Sequence, residues 1–286
     1  MTKPLPSLPA LRNEIDRVDD AIQDLLIERA QIVDTIARVK AKQGTGTVDP
    51  GREAAILKRL AARQRPPLPF PAIAAIWREI ISAFTSLQAP FSVAVHAPAS
   101  VPNMTDLHHS WSLARDYFGA MTPVIMHHTP SQVLRSLTER QVAFAVMPQI
   151  VEDDIDPWWR QLATHDPAAP RIVARLPFLV SASPGPEAYV LSCRHPAVET
   201  LERSYVALEV PADTSRARLR AGFAAADLNC LALNFCERDG LIMALAVFAG
   251  SVGLDDPRLS QVSAGLAEPI DRLYHLGGHP EPLALG

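Results

Sequence analysis

Cysteine is scarce in this chain, and its three cysteines form no Cys-x-x-Cys pair. They are Cys193, Cys230 and Cys236. An odd and sparse set of this kind does not build a disulfide framework, and it fits a protein of a reducing compartment. We therefore expect no disulfide bonds, and we expect core thiols at positions 230 and 236.

Long apolar runs are missing as well. The longest one extends only from Leu241 to Leu254, which is too short to cross a hydrocarbon layer about 30 Å thick as a helix. The sequence starts without a basic region followed by an apolar run, so we expect no signal peptide. A soluble, cytoplasmic protein with no membrane partner is the resulting prediction.

Neither sign of charge is in large excess. The chain has 27 basic and 31 acidic residues and a formal net charge of -4. This balance argues against nucleic acid as a partner, because binding to phosphates depends on an excess of Lys and Arg. At 286 residues the chain is long enough for two or three domains.

The first long segment has helical periodicity. No Pro or Gly lies between Ala10 and Gln43, and apolar residues recur at steps of three and four. This pattern predicts one amphipathic helix from Leu8 to about Gln43, which at 1.5 Å per residue would be about 54 Å long. The two short helices that follow cannot cover so long an apolar stripe, so the stripe predicts a partner.

Two further helices complete a predicted all-α domain at residues 1–90. Asp49 stands where a helix N-cap belongs, and Pro50 suits the first helical position. We expect the second helix from about Gly51 to Gln64 and the third from Ala72 to Gln88.

The pattern changes after Pro90. Short β-rich runs alternate with helical patterns, which predicts an α/β domain at 91–202 with a partly parallel sheet. From residue 203 the order is β-α-β-β-α-β, the ferredoxin-like split motif, which predicts a third domain at 203–286. The predicted fold class is therefore multidomain: an all-α domain, an α/β lobe and a ferredoxin-like domain.

Three basic residues on the first helix are candidates for a ligand site. Arg29 and Lys40 are eleven residues apart, so at about 100° per residue they face within about 20° of each other. Arg12 lies about 25 Å away along the axis, so it cannot share a small ligand with them in one chain. An antiparallel partner helix in an isologous dimer could bring it there. Taken alone, each of these cations is more often a solvated surface residue.

Three segments resemble the all-helical chorismate mutase family. They are ALRNEIDRVDDAIQDLLIERAQIVDTIARVK (10–40), DPGREAAILKRL (49–60) and PPLPFPAIAAIWREIISAFTSLQ (66–88). The mutase domain of the bifunctional chorismate mutase–prephenate dehydratases is the most similar, and WREIIS is the most specific motif. The resemblance implies an intertwined three-helix dimer that rearranges chorismate to prephenate in phenylalanine and tyrosine biosynthesis.

This reaction breaks an ether bond and makes a carbon–carbon bond without proton transfer, so neither a cofactor nor a metal is implied. What helps is a folded near-attack geometry and donors at the ether oxygen. The resemblance implies that Arg29, together with Arg12 of the partner chain, clamps the two carboxylates, for which the planar guanidinium is suited. Lys40 and Gln88 would donate to the ether oxygen.

The second helix supplies the rest of the implied site. Glu53 would accept a hydrogen bond from the ring hydroxyl, and Arg52 with Asp49 would shape the pocket. One departure is visible, because Phe84 stands where the family often has a small hydroxyl residue. This replacement removes a carboxylate contact or narrows the pocket.

The middle of the chain resembles a prephenate dehydratase domain in degenerate form. The family's motifs are replaced at 97–100, 150–152 and 188–190. We therefore expect dehydratase activity to be absent.

The third predicted domain resembles an ACT domain and includes the closing run LGGHPEP at 276–282. The motifs that bind phenylalanine in the family are replaced at 216–218 and 234–237. These replacements argue against phenylalanine as an effector.

Two alternatives stay open. One is a working bifunctional chorismate mutase–prephenate dehydratase, and the other is a non-catalytic protein that senses an amino acid or binds a partner. The histidine pairs His108–His109 and His127–His128 do not predict a metal site, because adjacent residues of a strand point to opposite faces.

Overall fold

The computed structural model describes residues 6–43, 49–98, 104–152, 154, 156–181, 185–211, 213–238, 241–264, 270 and 272–285. The chain divides into two compact units. The N-terminal unit comprises Met1–Thr47 and Ala83–Pro90, and the main unit comprises Val48–Ser82 and Phe91–Gly286. The predicted domain bounds 1–90, 91–202 and 203–286 divide the chain differently and stay predictions.

The first helix, α1, is one uninterrupted helix over Leu8–Gln43, which confirms the predicted helix. Pro9 is tolerated because it lies in the first turn, where its missing N–H has no intrahelical partner. Lys40 and Lys42 lie in the last turn, where their charge complements the helix dipole.

An apolar stripe runs along α1 and faces solvent. Ile15 is 60% exposed and Leu25 is 64% exposed, whereas Val33 is buried. A single chain therefore leaves this face of the helix uncovered. The exposed members of the stripe are Leu8, Leu11, Ile15, Val18, Ile22, Leu25, Ile32, Ile36 and Val39.

Helix α2 spans Pro50–Arg63, and its start follows the predicted capping. The Asp49 carboxylate accepts a hydrogen bond from the backbone N–H of Arg52 at 3.0 Å, and Pro50 lies in the first turn. Helix α3 spans Phe70–Gln88, so it begins two residues before the predicted Ala72. Among the described residues, α3 is the one helix that is long and apolar enough to cross a membrane by length and composition. A core helix of a soluble protein meets the same criterion.

A nine-stranded mixed sheet forms the centre of the main unit, in the order β2-β1-β3-β6-β4-β10-β7-β9-β8. Strand β1 pairs in parallel with β2 and β3, as expected for a partly parallel sheet, while β6 pairs antiparallel with β3 and β4. The strands are β1 (Val93–His96), β2 (Val124–His127), β3 (Phe144–Pro148), β4 (Arg171–Leu176), β6 (Ala188–Ser192), β7 (Arg203–Val210), β8 (Cys230–Arg238), β9 (Leu241–Ala249) and β10 (Arg272–His279). Two short strands, β5 (Leu179–Val180) and β11 (Leu283–Ala284), pair separately.

Four helices cover this sheet: α4 (Met104–Phe118), α5 (Pro130–Thr138), α6 (Arg216–Ala225) and α7 (Pro257–Ala264). From β7 onward the elements follow the order β-α-β-β-α-β, as the sequence pattern predicts. One apolar core joins α2 and α3 of this unit to the sheet, and it includes Leu57, Ala74, Tyr117 and Val146.

The sheet continues across residue 203 because β10 lies between β4 and β7. Gly277 pairs with Ile172 of β4, and its φ of +105° is in the region that favours glycine. A Cβ at this position would collide with the backbone of Ile172. Glycine is therefore required where the two strands meet.

Strand β10 ends in a histidine that is 1% exposed. The Nδ1 of His279 lies 2.7 Å from the carbonyl oxygen of Pro280, and its Nε2 lies 3.0 Å from the hydroxyl of Tyr205. Since a carbonyl only accepts, Nδ1 carries the proton and Nε2 accepts from the tyrosine. Burial lowers the pKa of His279 to about 4.

We expect acid to destabilise the main unit through this histidine. The pKa of histidine in the unfolded chain is about 6.5, whereas the folded chain takes up this proton only near pH 4. Stability is therefore lost as pH falls through this window, by about 3 kcal/mol for a shift of this size. Urea unfolding from pH 7.5 to pH 4.5 should show a smaller loss for His279→Gln than for the wild type. The same substitution at the exposed His165 is the control, and equal losses in all three proteins would contradict the assignment.

Candidate functional site

Two predicted site residues of the N-terminal unit meet around Phe84. The guanidinium carbon of Arg29 lies 4.4 Å from the centre of the Phe84 ring, and Phe84 is buried. The side-chain amide of Gln88 donates to the carbonyl oxygen of Phe84 at 3.4 Å. The phenylalanine that departs from the family pattern is thus the surface on which Arg29 rests.

Both residues keep a buried polar atom without a partner. Nη1 of Arg29 and Oε1 of Gln88 make no hydrogen bond within the described part of the chain. Burial also lowers the pKa of Arg29, because the charged form loses hydration. Buried polar atoms in proteins are nearly always hydrogen-bonded, so this pair is suited to a polar guest.

The side-chain amide of Gln88 is not oriented as its predicted role requires. The predicted role requires an N–H donor, whereas the free atom in this orientation is the acceptor Oε1. A half-turn of the amide group presents Nε2 to a ligand, but it gives up the hydrogen bond from Nε2 to Phe84 and turns Oε1 toward that carbonyl oxygen.

The other two predicted cations of α1 are placed differently. Lys40 is partly buried and Arg12 is exposed. Because α1 is continuous between them, Arg12 remains about 25 Å from Arg29 along the axis of the same chain. The structure of one chain therefore does not bring Arg12 to Arg29.

The three predicted residues of α2 belong to the main unit. Asp49 is engaged as the N-cap, and Arg52 is exposed. Glu53 is buried, and its Oε2 accepts from Nη1 of Arg78 at 3.0 Å. Burial raises the pKa of Glu53, while the charge of Arg78 opposes that shift.

Sequence reasoning missed Arg78 as a buried partner. Its guanidinium lies 4.0 Å from the ring centre of Tyr117 and 5.1 Å from that of Phe178. The signal available in the sequence was the spacing of Ala74, Arg78 and Ser82, which are four residues apart and so lie along one face of α3. In the structure all three residues of this face are buried.

Removing one partner of the Glu53–Arg78 pair should be strongly destabilising. The side chains are 12% and 7% exposed, and an uncompensated buried charge costs about 3–5 kcal/mol. We expect Arg78→Met to lower the free energy of unfolding by about that amount, and the double variant Glu53→Gln/Arg78→Met to regain a large part of it. Chemical unfolding of the three proteins measures both effects. If the free energy of unfolding of Arg78→Met is within about 1 kcal/mol of the wild-type value, the ion pair does not stabilise the fold in this way.

No metal-binding cluster is found among the described residues. Of the paired histidines, Nε2 of His127 lies 2.8 Å from Oγ of Ser136, and Nδ1 of His128 lies 3.0 Å from the carbonyl oxygen of Ala97. The side chain of His108 lies outside the described residues, as do residues 99 and 100 of the predicted motif at 97–100.

Residues 11–89 match the protein family described as chorismate mutase type II. This match confirms the resemblance stated for the N-terminal segments. Helices α1, α2 and α3 of this chain are thus similar to those of a chorismate mutase domain.

Curated relatives extend the similarity beyond that domain. A bifunctional chorismate mutase/prephenate dehydratase of Neisseria gonorrhoeae is 30% identical over 138 residues, which are 48% of this chain and 35% of the relative. A protein of the same name from Aquifex aeolicus is 31% identical over 160 residues, 53% of this chain and 41% of the relative. The chain thus spans well under half the length of these relatives.

Solved structures give weaker likenesses. A prephenate dehydratase from Streptococcus mutans is 17% identical with a TM-score of 0.41, covering 66% of this chain and 97% of that one. One from Arthrobacter aurescens in complex with L-Phe is 12% identical with a TM-score of 0.41, covering 67% of this chain and 90% of that one. At these TM-scores the likenesses carry no conclusion on function.

Proposed function

We propose that this protein is a chorismate mutase that converts chorismate to prephenate. The observation that carries the proposal is the family match over residues 11–89, the segment that contains every predicted site residue. The unpartnered buried Nη1 of Arg29 supports it independently, because chorismate carries two carboxylates that a guanidinium can bind.

The active species in this proposal is a homodimer with shared sites. The exposed apolar stripe of α1 supports it, since exposed contiguous apolar surface of this kind marks an interaction face. In an isologous dimer two copies of α1 would pack antiparallel. Arg12 of one copy would then reach the Arg29 and Lys40 of the other.

The proposed chemistry uses positioning and charge alone. Arg29 and the partner's Arg12 hold the two carboxylates, so that the reacting carbons approach each other in the folded conformer. Lys40 and Gln88 donate hydrogen bonds to the ether oxygen, where negative charge develops as its bond to carbon breaks. No group gives up or takes a proton, and the proposal needs neither a metal nor a cofactor.

Residues of α2 have the remaining proposed roles. Arg52 and Asp49 shape the pocket, and Glu53 accepts from the ring hydroxyl of the substrate. The ion pair with Arg78 occupies Oε2 of Glu53, so the hydroxyl would bind the other oxygen of that carboxylate.

The rest of the chain, in this proposal, is a prephenate dehydratase-like lobe at 91–202 and an ACT-like domain at 203–286. The β-α-β-β-α-β order from β7 to β10 supports the second assignment. The lost motifs support the absence of dehydratase activity and of phenylalanine binding. We place the enzyme in the cytoplasm, without nucleic-acid or membrane partners.

One assay separates this proposal from its alternatives. Purified protein is incubated with chorismate, and prephenate and phenylpyruvate are measured without acid treatment. Prephenate alone supports a mutase without dehydratase activity. Phenylpyruvate supports the bifunctional enzyme, a possibility raised by the name of the curated relatives. Unchanged chorismate supports the non-catalytic binding protein.

A further inference from the structure

A cavity of about 370 Å³ lies in the main unit beside α3, α4 and the segment from β4 to β5. Its walls are largely apolar and include Leu57, Ala74, Leu113 and Leu176. Cavities of this size are typical of sites for small molecules. None of the site residues proposed for the mutase reaction is among its described lining residues.

Arg78 lines this cavity and is only 6% exposed. Its Nη1 donates to Glu53, but its Nη2 is buried without a hydrogen-bond partner among the described residues. A buried donor without an acceptor costs about 1–3 kcal/mol, and more when it is charged. A ligand that brings an acceptor to Nη2 would remove this cost.

The other charged groups of the lining are engaged or lie at the rim. Both carboxylate oxygens of Glu79 accept from the backbone N–H of Ala120, at 2.9 and 3.1 Å. Arg115 donates to the carbonyl oxygens of Ala120 and Thr122, and Asp116 is exposed. Arg78 is therefore the buried charged residue of the lining that keeps an unused hydrogen-bond donor among the described residues.

We propose that this cavity binds a small monocarboxylate with an apolar body about as large as one ring. The carboxylate would accept a charge-assisted hydrogen bond from Nη2 of Arg78, and such bonds are about twice as strong as neutral ones. The apolar body would lie against the walls formed by Leu57, Leu113 and Phe178. Glu53 competes with the ligand for the charge of Arg78, so its carboxylate limits the affinity.

Calorimetric titration of the full chain with 3-phenylpropionate tests this proposal. We expect saturable binding in the sub-millimolar range, and binding of the uncharged 3-phenylpropanamide at least about tenfold weaker. Ala75→Trp, which fills the mouth of the cavity from α3, should abolish binding. Ile76→Trp is the matched control, because Ile76 is exposed on the same helix and is not among the lining residues. Leu113→Trp fills the cavity from α4 if Ala75→Trp does not fold.

Two further variants locate the bound carboxylate. Arg29→Ala should leave the affinity unchanged, because Arg29 belongs to the proposed mutase site and not to this cavity. Glu53→Gln should be less stable than the wild type, but at a temperature where circular dichroism shows it folded it should bind more tightly, because it leaves the charge of Arg78 uncompensated. The proposal is overturned by an absence of binding to the wild type, by binding that survives both cavity-filling variants, by equal affinity for acid and amide, or by dependence on Arg29.

Discussion

Replacing Arg29 with alanine is expected to lower kcat/KM for chorismate by about 10³-fold, with the fold intact. The guanidinium offers a buried Nη1 that has no partner among the described residues. A dianionic substrate would form a charge-assisted hydrogen bond there that alanine cannot supply. The rate is measured as the loss of chorismate absorbance, and circular dichroism checks that α1 remains helical.

Arg38→Ala is the matched control for this variant. Arg38 lies on the same helix, but it is largely exposed and pairs with Asp34 one turn earlier. Exposed pairs of this kind contribute little to stability, so we expect nearly wild-type kinetics. An Arg29→Ala enzyme that retains more than about a tenth of the wild-type kcat/KM would remove Arg29 from the proposed carboxylate clamp.

Mixing two inactive variants should restore activity. In the proposed dimer each site combines Arg29 of one chain with Arg12 of the other. A heterodimer of Arg12→Ala and Arg29→Ala chains has one site with both lesions and one intact site. After random exchange of equal amounts, half of the dimers are mixed, so activity should return to about a quarter of the wild-type value.

The negative control for this experiment is a mixture of Arg29→Ala with the double variant Arg12→Ala/Arg29→Ala. No heterodimer of these chains contains an intact site, so this mixture should remain inactive. Exchange itself is followed by native mass spectrometry of chains that carry different tags. Confirmed exchange without recovery of activity would exclude the shared site.

Local patterns determined which parts of the fold could be predicted. The three-and-four spacing along α1 identified a single helix, because apolar residues recur at these steps over nearly the whole of Leu8–Gln43. Asp49 and Pro50 located the start of α2 by capping chemistry alone. The element order from β7 to β10 followed from alternation and turn residues in the same way.

Contacts between residues that are distant in the sequence could not be predicted from such local patterns. The position of β10 between β4 and β7 depends on the contact of Gly277 with Ile172, which no local periodicity records. The same holds for the site. The spacing on α1 identified Arg29 as a candidate, but the ring of Phe84 beneath it and the ion pair of Glu53 with Arg78 join separate helices. The family resemblance named Glu53 without its buried partner.

The place of β10 also has a consequence for how the chain acquires its structure. In the sheet, β4 lies between β6 and β10. Strand β4 ends at Leu176 and β10 begins at Arg272, so during synthesis one edge of β4 has no partner strand until about a hundred later residues have been added. Closing so long a loop before any pairing energy is gained slows folding. During that interval the exposed edge can pair with other chains, so chaperone dependence during synthesis is to be expected of the main unit.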